Sequence, residues 1–499
     1  MKINRVQRNI IVNFFLQTVG MISGIVLPHF IISIYGSTLN GLIGSIGQFL
    51  FYAGLVEAGV GSAAMIALYT PLLNHDYKSM SGILSAVSNK YRISGIVYTI
   101  IIIGIALIYP LMIRGQVNYI FTFFMTVILA ANGMIDYFLI GRYKVLLMAD
   151  QKYYIINFVK IFATCALTIG SVFLLKCRVS LLIVKGLGSF LHLIEALVIK
   201  KYVHVKYPNI IFNEKSELKF KQQKSVMVQQ ICMVITYNTD LIVLTIMLPA
   251  NSLQEISVYS VYAMILSFAK NFMSVLYVGI SAAFGNIYAH KDLQKLNRKF
   301  RQYELIFDIF LFLMYSCVVA LILPFVKCYT GTITDVNYVR MDLAILFSLK
   351  GIVAQIKDSH STLIHEGCGK YKETEKYAVY EAVSNIIISV ILVAKLGVAG
   401  VLIGTLISHL FMDYGVIKCT CREILPEMGK ITKKRIIRNV LLFVILSLFE
   451  IRKAGEIRTW AGWITAAIGI TVFNGAIILC INYLFEKEEI REVFYSLRK

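Results

Sequence analysis

Six ionisable side chains lie deep inside long apolar runs of this 499-residue sequence: Glu57, Asp240, Lys270, Lys350, Lys357 and Asp358. On insertion scales, a charge facing lipid at mid-bilayer costs about 2.5–3.5 kcal/mol. Six are too many to leave there, so most must face one another or water. Lys350 and Lys357 are seven residues apart and share a helix face, whereas Asp358 is one step round from Lys357 and need not be its partner. In the second half, Lys270, Lys350 and Lys357 outnumber Asp240 and Asp358, which leaves positive charge to meet an anion. Interhelical ion pairs are the alternative that needs no ligand. Asn13, Gln17, Gly20 and Gly24 recur at helical spacing along the first apolar run. That face reads as polar cavity lining at the two amides and as close helix packing at the glycines.

No catalytic signature accompanies these residues. The sequence contains no GxxxxGK[ST] loop and no HExxH, and its nine cysteines show no metal-ligand spacing. The expectation is a non-enzyme without cofactor or metal, and without ATP hydrolysis of its own. Any work it does must draw on an ion gradient, the membrane potential or a substrate gradient.

The elements that must position these charges are membrane spans. The chain is 58% hydrophobic and 15% charged, with mean hydropathy +0.72. Soluble domains carry about 25% charged residues, and apolar runs near 20 residues mark spans. Six runs precede a hydrophilic joint at 200–224, which holds seven lysines, and about eight follow it. The expected fold is an all-α polytopic membrane protein of about 14 transmembrane helices. Two six-helix bundles, 1–199 and 228–418, flank a basic linker at 200–227, followed by an extra helix pair at 436–485 and a tail at 486–499. Span 2 is expected over 39–69, span 8 over 257–287 and span 10 over 339–365. Spans 11 and 12 are expected over 378–394 and 398–417. Span 13, at 436–451, is short and begins with charge.

The formal charge of +21 follows topology rather than a nucleic-acid partner. Of 49 Lys and Arg, 35 fall in the termini and alternate loops that would share one side. This positive-inside bias puts both termini and the joint in the cytoplasm. A weak internal repeat supports two similarly oriented halves. Residues 59–80 echo 279–296, matching Ser62 with Ser281. DQKYY (150–154) echoes CGKYK (368–372), matching Lys152 with Lys370. The offsets, 219 and 218, agree within one residue.

Three stretches carry a resemblance: FLFYAGLVEAGVGSAA (49–64), LLMADQKYYIIN (146–157) and TYNTDLIVLTIML (236–248). They resemble the polysaccharide exporters of the MOP superfamily, the Wzx-type O-antigen and capsule flippases. The resemblance runs over nearly the whole chain, including the extra helix pair. It implies two six-helix bundles in a V around a central cavity, opening inward and outward in turn, in a bacterial inner membrane. The implied cargo is an oligosaccharide on undecaprenyl diphosphate, moved from the cytoplasmic to the outer leaflet. Membrane lipids and a glycan polymerase are the implied partners. A cationic cavity for the diphosphate would draw on Lys270, Lys350 and Lys357. Glu57, Asp240 and Asp358 are the candidates for coupling or gating, through a bound proton or cation. Two other readings stay open within the superfamily, a cation-coupled multidrug exporter and a lipid II flippase. A membrane scaffold or receptor is the reading from another class, and the charges at mid-span count against it.

Overall fold

The computed structural model describes residues 5–57, 60–212, 224–248, 250–274, 276, 280–454 and 457–497, with backbone alone for 5–6, 62, 224–226, 282, 452–454 and 493–497. Residues 213–223 of the joint, and the side chain of Ser62, lie outside the described residues. Every regular element described is helical. In chain order these are α1 (Arg5–Tyr35), α2 (Ser37–Ala53), α3 (Val60–Leu73), α4 (Tyr77–Met112), α5 (Tyr119–Ile135), α6 (Gly141–Ala149), α7 (Tyr153–Lys176) and α8 (Leu181–Lys206). There follow α9 (Lys224–Met247), α10 (Ser252–Ser274), α11 (Ile280–Ala289), α12 (Leu293–Thr330), α13 (Met341–Ile356), α14 (Asp358–Ser361), α15 (Glu375–Leu396) and α16 (Val398–Glu423). The last three are α17 (Met428–Ala454), α18 (Trp460–Phe485) and α19 (Lys487–Leu497).

Among the described residues, 12 helices are long and apolar enough to cross a membrane, against the 14 expected. The two shortfalls have different causes. Span 10 is broken into α13, α14 and a π-helical turn at Thr362–Gly367, so none of its pieces is long enough alone. Span 13 is a 27-residue helix, α17, longer than expected, but its first turns carry Lys430, Lys433, Lys434, Arg435 and Arg438. Spans 2 and 8 are also broken where unbroken helices were expected. Span 2 runs as α2, a 3₁₀ turn at Gly54–Glu57, and α3. Span 8 runs as α10 and α11. The flanks of α1 and α7 expose Phe14, Phe15, Phe158, Ile169 and Phe173, each by more than half. In a multi-pass membrane protein these faces meet lipid.

Contacts divide the chain into two compact units. The first is Met1–Ile231 with Leu248–Ser257, and the second is Cys232–Met247 with Val258–Lys499. In unit 1, α1 packs along α7, where Thr168 donates to Ser23 at 2.8 Å. The glycine expectation fails here. A Cβ at Gly20 or Gly24 would meet nothing within 4 Å, so neither glycine seats a neighbouring helix. The packing glycines are elsewhere. Gly133 of α5 lies under Tyr98 of α4, whose hydroxyl would be 2.5 Å from an added Cβ. In unit 2, Gly351 of α13 lies under Tyr315 of α12, with the ring 2.2 Å from an added Cβ. The hairpin of α15 and α16 closes on Gly400 and Gly404, where a Cβ would fall 2.4 Å from Leu392 O and from Ser389 Oγ. Small residues four apart allow this backbone approach.

Both long cores open with the same cap. Asp76 accepts from the Ser79 N–H at 3.0 Å and starts α4, and Asp292 accepts from the Lys295 N–H at 3.0 Å and starts α12. A carboxylate at this position satisfies donors that the first turn leaves free. The hydrogen bond from the Ser79 hydroxyl, then that from its N–H, holds the exposed Asp76 carboxyl below its usual range.

Candidate functional site

Unit 2 gathers most of the deep charge. Asp240 comes from α9, Lys350 from α13, and Thr405 from α16. Asp240 is 1% exposed, and one of its oxygens accepts from Lys350 Nζ at 2.6 Å and from the Tyr259 hydroxyl at 2.7 Å. Its other oxygen accepts from Thr405 at 2.8 Å, and Lys350 also donates to Tyr259 at 2.9 Å. The result is a closed clamp linking four helices, α9, α10, α13 and α16. An ammonium and a carboxylate buried together in this way neutralise each other, and removing either strands the other.

The break after α13 turns Lys357 toward α16. Its Nζ donates to Ala354 O at 3.0 Å and stands 3.5 Å from an oxygen of Asp413. Asp358, next in sequence, is half-buried and makes no side-chain hydrogen bond among the described residues. Behind Lys357, His409 Nδ1 meets Glu381 Oε1 at 2.6 Å between α16 and α15. Lys270 of α10 differs from both other lysines. It is exposed, with Nζ 4.1 Å from the centre of the Tyr237 ring, and among the described residues no carboxylate lies within ion-pair distance of it. An ammonium over an aromatic face stays available to an anion while gaining a modest attraction.

The sequence residues are thus brought together in part. Lys270, Lys350, Lys357, Asp240 and Asp358 share unit 2, with Lys350 closed on Asp240 and Lys357 beside Asp413. The excess of cations over acids expected in this half does not hold, because Glu381 and Asp413 join Asp240 and Asp358. Sequence reasoning missed Glu381, His409 and Asp413, and also Glu304 and Arg435. For the first three the available signal was their presence in apolar runs, with His409 and Asp413 one helical turn apart, whereas Glu304 and Arg435 sit in charged stretches at helix starts.

Glu57 belongs to unit 1, at the end of the 3₁₀ turn that Tyr137 holds by donating to Gly54 O at 3.0 Å. The Tyr91 hydroxyl donates to Glu57 at 2.5 Å. Nearby, a π-helical turn at Asp136–Ile140 presents Asp136 to Lys144 at 2.5 Å and to His192 at 3.3 Å, and His192 in turn reaches Glu195 at 3.1 Å. Asn13 and Gln17 are exposed on α1, and Asn157 donates to Asn13 at 3.5 Å.

A second charged cluster ties the C-terminal helices to unit 2. Arg435 of α17, 1% exposed, donates to Glu304 of α12 at 2.6 Å, to Arg301 O at 3.0 Å, and to Glu486 just after α18. Glu304 also accepts from Thr432 at 2.5 Å and meets His360 at 2.8 Å. Burial pushes the Glu486 carboxyl up, but hydrogen bonds and charge from Arg435, then from Arg438, outweigh it and hold it below its usual range.

No family model and no curated protein sequence matches the chain. Solved structures do match. A multidrug resistance MATE family transporter of the MOP superfamily, in an inward-facing conformation, aligns with TM-score 0.62 at 15% identity, over 83% of this chain and 96% of its own. The lipid II flippase MurJ, in an inward closed conformation, aligns with TM-score 0.62 at 16% identity, over 95% and 98%. A MOP superfamily transporter from Pyrococcus furiosus, described as having a binding pocket of reversed polarity, aligns with TM-score 0.53 at 14% identity, over 84% and 95%. At these identities the likeness is one of fold.

Proposed function

We propose that this protein flips a saccharide carried on a polyprenyl diphosphate, in the Wzx-type reading an oligosaccharide on undecaprenyl diphosphate, from the inner to the outer leaflet for surface polysaccharide assembly. One observation carries the reading. Of the seven charges contributed by α9, α10, α13–α16 and the break after α13 (Lys270, Lys350, Lys357, Asp240, Asp358, Glu381 and Asp413), Lys270 is the exposed residue. A diphosphate leaving the headgroup region gives up water and counterions, and a fixed cation in a partly dry site replaces them. Lysine suits a cargo that must be released, since it acts as a mobile point charge rather than a bidentate fork. Lys350 and Lys357 join this site only by leaving Asp240 and Asp413. That exchange makes Asp240 and Asp413 gating groups in this reading, with Asp358, and Glu57 in unit 1, remaining proposed as coupling or gating acids. Asn13 and Gln17 remain proposed as polar lining.

The alignment with the lipid II flippase covers 95% of the chain, whereas the MATE alignment named above covers 83%. This favours a lipid-linked cargo over an amphipathic drug, and it makes lipid II the second reading. Reconstitution in vesicles with a fluorescent undecaprenyl-diphosphate oligosaccharide, with lipid II and with a cationic dye separates the three. Lys270→Gln is expected to slow flipping of the oligosaccharide at least tenfold, and Lys270→Arg to retain part of it. Full activity in a variant with glutamine at positions 270, 350 and 357 overturns the site. Movement of the dye alone overturns the function.

A further inference from the structure

Hydrogen-bond donors and acceptors do not balance around Asp413. Its carboxylate is 5% exposed, and neither oxygen accepts a hydrogen bond. The nearest ammonium, Lys357, stands at 3.5 Å, the length of an ion pair rather than a good hydrogen bond, and spends one of its three N–H groups on Ala354 O. One turn earlier on α16, His409 is fully buried, with Nδ1 on Glu381 and Nε2 without a partner. If the imidazole is neutral and donates through Nδ1, three buried acceptor atoms (two of Asp413 and Nε2 of His409) make no hydrogen bond, and the two N–H groups left on Lys357 are too few for them. Buried acceptors are almost always satisfied, and each exception asks for a missing group. The charges acting on the pair are Lys357 and Asp358 at the break after α13, Lys350 within α13, and Glu381 on α15. Across α9, the Tyr237 ring stands 5.6 Å from the His409 ring and carries Lys270 on it at 4.1 Å.

We infer that Glu381, His409 and Asp413 form a proton-binding site inside unit 2, occupied by one exchangeable proton on Asp413. Uptake converts the carboxylate to a carboxylic acid, adds one donor to a cluster short of donors, and needs no other reactant. Loss returns the negative charge beside Lys357. The rings of His409 and Tyr237 lead from this site to Lys270, so the proton and an anion on Lys270 act on each other over a short path. The site stands on its geometry whatever the chain transports, so its test uses no transport.

Infrared difference spectra of the full chain in lipid nanodiscs, titrated across neutral pH, are expected to show a buried carboxylic-acid C=O band. Asp413→Asn should remove it and Asp413→Glu should shift it. His409→Gln should move its midpoint by at least tenfold in proton concentration, with the melting transition retained. If Asp413→Asn does not fold, the midpoint shift in His409→Gln decides. A band unchanged in both His409→Gln and Asp413→Asn overturns the assignment. So does a titration with sodium at fixed pH that perturbs the same carboxylate and saturates, because the missing group is then a metal cation.

Discussion

The two units share a packing plan and differ in how they hold charge. Tyr98 on Gly133 in unit 1 and Tyr315 on Gly351 in unit 2 are the same contact, 217 and 218 residues apart. The carboxylate caps Asp76 and Asp292 correspond, as do the left-handed turn residues Gln151 with Gly369 and Arg178 with Gly397. Even the histidines correspond, with His192 and His409 each set against a glutamate. The offsets fall within 216–219, at or within two residues of the 218 and 219 that the sequence echoes give. Charge divides them. In unit 1 the Lys144–Asp136 pair has side chains 29% and 39% exposed, whereas in unit 2 Lys350 and Asp240 are 10% and 2% exposed. Backbone seams tolerate little change, so they persist across the two halves, while the residues between them are free to take up different chemistry.

That contrast predicts its largest effect at the ion pairs. Lys350→Met or Asp240→Asn should each lower stability by about 3–5 kcal/mol, because each strands a buried partner, and the double variant should recover much of the loss. Lys144→Met in unit 1 should cost under about 1 kcal/mol. Thermal unfolding in detergent measures both, and equal losses would break the comparison. Next come the shared seams. Gly133→Ala and Gly351→Ala should each cost about 1–3 kcal/mol through overpacking. Tyr98→Phe should relieve part of the first, since the hydroxyl is the nearest of the three Tyr98 atoms that the new Cβ meets.

A smaller effect sharpens the contrast at the helices that unit 2 alone carries. The Glu486 carboxyl is held below its ordinary value of 4.5. Its contribution to stability is therefore complete above that value and lost as pH falls through the lower, folded one. The melting temperature should drop on acidification below about pH 4.5, and Arg435→Met should flatten that limb. Least of all, Gln151→Gly and Arg178→Gly should stabilise by about 0.5 kcal/mol, while Gly397→Arg should lose about 1 kcal/mol. Arg178 and Gly397 share a positive φ, 54° and 56°, and the ψ of −132° at Gly397 is one that glycine alone adopts readily.

Much of the fold was legible because lipid enforces long apolar runs and alternating charge. The helix breaks were not. Glu57 and Lys357 sit in runs apolar enough to read straight through, and the interruptions depend on partners such as Tyr137 and Asp413. Depth found Asp240, Lys350 and Lys357, but not who holds whom. Lys350 and Lys357 look alike on one helix face, yet they close on α9 and α16 respectively. Asp240 and Lys350 are 110 residues apart, and no local pattern joins them. Glu381 and Asp413 went unweighed because each is a single acid in an ordinary span, and their meaning appears only once α15 and α16 are laid side by side.

The Arg435 cluster also sets an order of manufacture. Glu304 leaves the ribosome 131 residues ahead of Arg435, and Arg435 leaves 51 ahead of Glu486. At cytosolic synthesis rates the first gap lasts roughly 7–26 s, during which α12 must be lodged with an acid whose guanidinium does not yet exist. His360 and its ring can shelter Glu304 for that interval, because they arrive only 56 residues later. A chain stopped before α17 would keep this makeshift pair for good, and quality-control proteases that survey the membrane would meet a half-neutralised acid in the first third of its longest helix.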